Sequence, residues 1–183
     1  MVSFGLGRYV LRTYWSRSVL DVLDGSGVVV FSVSSKGVLI PDLILSCKEG
    51  VIGRVHHVFS LKEDNFELYD GSGVLLGRLH RVMGLKGNRM ELSDASGLLI
   101  GVVNLSFGPT LGSNPNAYVL LDGGGEKVIV EVGVDSSGGL VNVLKRDLYV
   151  NVVSDLIPIL LVFECVLAVQ ALSTELHKPT LSH

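Results

Sequence analysis

The sequence predicts a mostly β fold, a succession of roughly six antiparallel hairpins packed with one apolar helix near the C-terminus. Three observations carry that reading. A strand-turn-strand unit with a D-x-x-G turn recurs along the chain. Glycine is abundant, at 22 of 183 residues, whereas proline is scarce, at 5, so the chain is turn-rich without the composition of a disordered one. A single long apolar stretch, residues 156–172, abandons the alternation of the rest. The length suits one domain over residues 1–183, large enough to bury a substantial core.

The repeats come first. They read VLDVLDGSGVVVFSV (19–33), NFELYDGSGVLLGRL (65–79), RMELSDASGLLIGVV (89–103) and NAYVLLDGGGEKVIVEV (116–132). In each, an apolar alternating run meets a turn led by Asp24, Asp70, Asp94 or Asp122. The carboxylate can accept hydrogen bonds from turn amides, and the glycine three residues on can take positive φ. A degenerate copy, LILSCKEGVIGRV (43–55), turns at Lys48, Glu49 and Gly50, and a further turn signal lies at Asp135–Gly139. One carboxylate per turn is too few for a calcium loop, and GGGEK at 123–127 lacks the spacing of a phosphate-binding loop. Metal sites and cofactors are therefore not expected.

The apolar segment LIPILLVFECVLAVQAL (156–172) is too long and too uniform for a half-exposed strand and reads as a helix. Ser154 or Asp155 can cap it, with Pro158 tolerated in the first turn. Apolar all round, it needs cover on every side, from lipid or from a protein shell. It spans roughly 26 Å, short of a hydrocarbon core of about 30 Å. Glu164 sits at its centre, where bilayer insertion costs about 2.5–3.5 kcal/mol for an acid, and neither Trp nor Tyr flanks it closely. These features favour a buried core helix, followed by a polar tail at 176–183. Inside a protein shell Glu164 needs a partner or a proton.

The formal charge of −3 is uneven: residues 1–100 carry eleven Lys and Arg against ten acids, the remainder four against eight. No basic excess marks a nucleic-acid binder, so none is expected as a partner. Cys47 and Cys165 sit in no CxxC pair and read as buried small hydrophobes of a cytoplasmic protein. MVSFGLGRYVLRTYW has no uninterrupted apolar run of the signal-peptide kind.

The repeats ELYDGSGVLLGRL and ELSDASGLLIGVV, followed by the helix 156–172 and a short polar tail, resemble the superfamily of tubby-like, phospholipid scramblase and LURP-one-related proteins. The resemblance covers nearly the whole chain and implies a closed antiparallel barrel of about twelve strands around a central C-terminal helix. Tubby proteins bind phosphoinositide head groups and scramblases are linked to lipid movement, so the resemblance points to lipid. The acidic calcium segment of scramblases would fall near 145–155, where KRDLYVNVVSD offers only Asp147 and Asp155, a departure that argues against calcium-activated scrambling.

Two copies carry the same basic pair after their shared glycine, Gly53-Arg-Val-His and Gly77-Arg-Leu-His. Alternation puts Arg54, His56, Arg78 and His80 on one face, and Gly53, Val55, Gly77 and Leu79 on the other, where missing Cβ atoms let the helix approach. With Lys86 and Arg89, the basic residues are the candidate site for an anionic phospholipid head group or small-molecule ligand. His56 and His57 point to opposite faces and cannot readily share a metal, and no nucleophile-base set can be assembled, so the expectation is a non-enzymatic protein, cytoplasmic and peripheral at the membrane. The alternatives are a membrane-inserted scramblase-like protein and a protein-interaction scaffold that uses a loop such as GPTLGSNPN (108–116).

Overall fold

The computed structural model describes residues 5–13, 19–36, 42–59, 64–84, 87–105, 118–134 and 147–175. Lys86, the loop 108–116, the turn signal at 135–139 and the tail 176–183 lie outside them. Strands run β1 (Gly7–Thr13), β2 (Val19–Leu23), β3 (Val29–Lys36), β4 (Asp42–Cys47), β5 (Gly50–Phe59), β6 (Asp64–Asp70), β7 (Leu75–Gly84), β8 (Gly87–Asp94), β9 (Leu99–Leu105), β10 (Tyr118–Asp122), β11 (Val128–Val134) and β12 (Leu148–Val152), and one helix, α1 (Ile159–Glu175), follows.

Each strand pairs antiparallel with its sequence neighbours, and β1 pairs with β12, Gly7 opposite Val152 and Leu11 opposite Leu148, which closes the barrel. Two-residue alternation then sorts the wall. On β6 Phe66 and Leu68 are buried, on β8 Met90 and Leu92, on β12 Leu148, Val150 and Val152, while the residues between them face out. Charged side chains stand on the outer face and apolar ones on the inner, the reverse of a lipid-facing barrel.

The D-x-x-G turns form as the sequence predicts. Asp70 Oδ1 accepts from the amides of Ser72 (2.9 Å) and Val74 (2.8 Å), and Gly73 takes φ 86°. Asp24 and Asp94 repeat the arrangement, and in the turn one residue longer at 122–127 Asp122 accepts instead from the amides of Glu126 and Lys127. In an up-and-down barrel these turns, with the Lys48–Glu49 turn, all stand at one mouth. The chain also leaves β12 at that mouth, because Val152 pairs with Val130 just past the turn at 122–127.

From there α1 runs back through the lumen. Residues 161–169 are buried without a break, a run no helix achieves unless covered on all sides. Phe163 meets Tyr9 of β1 and Phe31 of β3 edge-on at 5.0 and 5.2 Å, and Tyr118 of β10 donates to the Val166 carbonyl at 3.1 Å. On the other side, glycines of β5 and β7 receive the helix, and one of β9 receives the segment that leads into it. A Cβ on Gly77 would stand 2.5 Å from the Ser93 carbonyl oxygen and 3.3 Å from Leu161, one on Gly101 3.3 Å from Ile157, and one on Gly53 would collide with the Glu164 carboxyl. The glycine face is the helix side, as alternation implied.

The helix begins three residues later than its apolar stretch. Leu156 and Pro158 remain outside it, the Leu156 amide meets Ser154 Oγ at 3.4 Å, and the Pro158 carbonyl accepts from Val162 at 3.1 Å. Pro158 thus provides the first carbonyl rather than a residue of the first turn, and the helix extends past Leu172 to Glu175.

Candidate anion site on the outer wall

Because Gly53 and Val55 point inward, Arg54 and His56 stand on the outer face of β5, and Arg78 and His80 stand likewise on β7. The register between them decides their surroundings. Arg54 lies opposite Tyr69 on β6, and His56 and Arg78 lie on either side of Glu67. Arg78 Nε is 3.4 Å from Glu67 Oε1, and Tyr69 donates its hydroxyl to Glu67 Oε2 at 2.5 Å. The hydroxyl of Tyr69, then the Arg78 guanidinium, hold Glu67 below the usual carboxylate range, and the same bond raises Tyr69.

The other candidates are also engaged. His56 Nδ1 is 2.6 Å from Asp42 Oδ1 on β4, His80 Nδ1 is 2.5 Å from Asn65 Oδ1 on β6, and Arg89 pairs with Glu91 on its own strand. Arg89 and Glu91 edge a hollow of about 210 Å³ that Asn104 and Gly123–Gly125 complete, one step round the wall from the β5–β7 group. The structure therefore brings Arg54, His56 and Arg78 together and sets Arg89 apart. Arg54, exposed, has no ion-pair partner among the described residues.

A second pair of arginines escaped the sequence reading. Arg8 and Arg12 share the outer face of β1 and line a hollow of about 350 Å³ with Leu23, Asp24, Gly25 and Gly27. Arg8 lies over the Tyr149 ring at 5.0 Å and Arg12 Nε is 3.3 Å from Asp147. The signal was RYVLR, four residues apart on one strand face, but it has no repeat to draw attention to it.

Inside the wall, His57 stacks on Phe66 with ring centroids 4.6 Å apart, so the two adjacent histidines do face opposite ways. Glu164 is fully buried, and neither carboxyl oxygen has a hydrogen-bond partner. Burial pushes it up to about 9, with the nearby Arg54 amide opposing the rise and Asp70 adding to it. It is a neutral acid at pH 7. Cys47 and Cys165 are free thiols, and burial pushes Cys165 up to about 12. Among the described residues no three His, Cys, Asp or Glu side chains are grouped to hold a metal, and no helix is long and apolar enough to cross a membrane.

The chain matches no protein-family model and no curated protein.

Proposed function

We propose that this chain is a non-enzymatic binding barrel of the tubby-like, scramblase and LURP-one-related kind, which takes an anionic group on the outer wall of β5–β7 while lying at a membrane surface from the aqueous side. The observation that carries the reading is Arg54, an exposed guanidinium without a carboxylate partner among the described residues, next to Tyr69 and two strands from Arg78. Two strand spacings of about 10 Å and an offset of two residues, about 7 Å, put the two positions about 12 Å apart, a span over which both long side chains can reach towards one phosphate through their N–H donors. Glu67 tempers the site: binding there is weak and salt-sensitive, suited to a reversible contact. A cytoplasmic location goes with two free thiols.

Cosedimentation with vesicles tests it. Phosphatidylcholine vesicles containing phosphatidylserine or a phosphoinositide should retain the chain at low salt, and Arg54→Ala/Arg78→Ala should lose most of that retention. Equal recovery with neutral vesicles, or an unchanged double variant, refutes the reading. The membrane-inserted alternative is less well supported, because α1 already has its cover from the strands and Glu164 is buried among them.

A further inference from the structure

The mouth of the barrel that carries the tight turns presents aliphatic side chains that the turns themselves do not require. In the turns led by Asp24, Asp70 and Asp94 the residue four after Asp gives its amide to the carboxylate, and its carbonyl accepts from the Asp amide at 2.9 Å. Both bonds are made by backbone, so the geometry is indifferent to the side chain. Yet these positions hold Val28, Val74 and Leu98, which are 61, 58 and 64 % exposed. The degenerate turn supplies Val51, also exposed, and the segment between β12 and α1 adds Val153 and Leu156. Among the described residues, every exposed large hydrophobic side chain except Val119 lies at this end.

Singly scattered apolar residues on a surface need no explanation, but a crown of them repeated from hairpin to hairpin marks a contact surface. Neighbouring hairpins stand about 10 Å apart, two strand spacings, so one partner can touch several at once.

Charge selects the partner. The same five turns carry six carboxylates, Asp24, Glu49, Asp70, Asp94, Asp122 and Glu126, against Lys48 and Lys127, a net of −4. Hydrogen bonds from the serine hydroxyl and then the turn amides hold Asp24, Asp70 and Asp94 below the usual carboxylate range, so the charge persists into mild acid. An anionic leaflet is repelled by such a ring. We propose that this mouth docks a basic amphipathic segment of a partner protein, whose apolar side covers Val28, Val74 and Leu98 while its Lys and Arg residues meet the turn carboxylates. The surface is distinct from the Arg54 wall and stands or falls separately from it.

Selection of a random displayed-peptide library on the full chain tests the proposal. The enriched peptides should combine Lys or Arg with large apolar residues. A synthetic copy of one should lose about tenfold in affinity against Val74→Ser/Leu98→Ser, lose affinity against Glu49→Gln/Glu126→Gln, and bind more weakly as salt is raised. Should the serine pair fail to fold, a spin label on the peptide locates it on the unmodified chain by broadening amides of the turns. Enrichment of acidic or uncharged peptides, failure to enrich any, broadening elsewhere, or affinity that ignores both variants overturns the proposal. So does self-association, or flotation with phosphatidylcholine vesicles, that Val74→Ser/Leu98→Ser abolishes, since either would assign the crown to a second copy or to a bilayer.

Discussion

Glu164 and Glu67 are the same side chain on opposite sides of one wall. Glu67, outside, has a tyrosine hydroxyl and a guanidinium within hydrogen-bond reach and is held below the usual range. Glu164, inside, has apolar neighbours and a glycine, and is driven up to about 9. The wall is thin enough that the Arg54 backbone bears on the inner acid while its side chain belongs to the outer group. The difference teaches that the inner face surrounds its acid with apolar side chains, whereas the outer face supplies polar partners.

The largest way to break that contrast is to empty the lumen. A chain ending at Asp155 leaves the inner faces of most strands uncovered, at about 25 cal/mol for each Å² exposed, and should collapse or aggregate. Loss of near-ultraviolet circular dichroism with strong uptake of a hydrophobic dye is the expected result, and a cooperative melt would contradict it.

Next in size is the inner acid itself. Its folded value lies above the ordinary 4.5, so its contribution to stability is complete below about pH 4.5 and is lost progressively as pH rises towards about 9. The slope is about 1.4 kcal/mol per pH unit, and the loss by pH 7 is about 3 kcal/mol. Glu164→Gln should flatten the dependence of urea unfolding midpoint on pH between 5 and 9, and a slope identical to the parent's would show that Glu164 is not the titrating group.

Gly77→Ala should cost about 2 kcal/mol, because the added Cβ stands 2.5 Å from a backbone oxygen that cannot move aside cheaply. Gly53→Ala meets a side-chain end instead, so its penalty should shrink in the Glu164→Ala background. A double-mutant cycle that returned strict additivity would deny the contact.

The smallest effect belongs to the outer acid. Glu67→Gln should change stability by about 1 kcal/mol or less, since the pair is partly exposed and screened. Its sign is opposite to that of Glu164: a lowered value gives stability present above the ordinary carboxylate range and lost as pH falls through the folded value. Thermal melts at pH 7 and pH 3 compare the two.

Much of this was legible in local sequence. The turns are self-contained, each made by an Asp and a glycine within four residues, so their positions followed directly. The inward glycine face followed from alternation alone. What was not legible depends on register. Glu67 reaches Arg78 and Asp42 reaches His56 only because particular residues lie opposite or near one another across strands, and nothing in GRVH or GRLH announces those neighbours. The candidate group therefore emerged in the structure more neutral than its own strands implied. Closure through β1 and β12 left no local mark either; it came only with the resemblance. The late start of α1 reflects a choice between apolar content and hydrogen bonding, which composition does not resolve at Leu156 and Pro158.

The order of parts along the chain has a consequence for biosynthesis. Twelve strands are made before the element that fills them, so at about 5–20 residues per second the earliest hairpins wait roughly 10–30 s for their shared interior. During that interval their inward leucines and valines have only one another, and the unjoined edges of β1 and the newest strand are open to pairing with other chains. Production at low temperature or with holdase chaperones should therefore raise the folded yield.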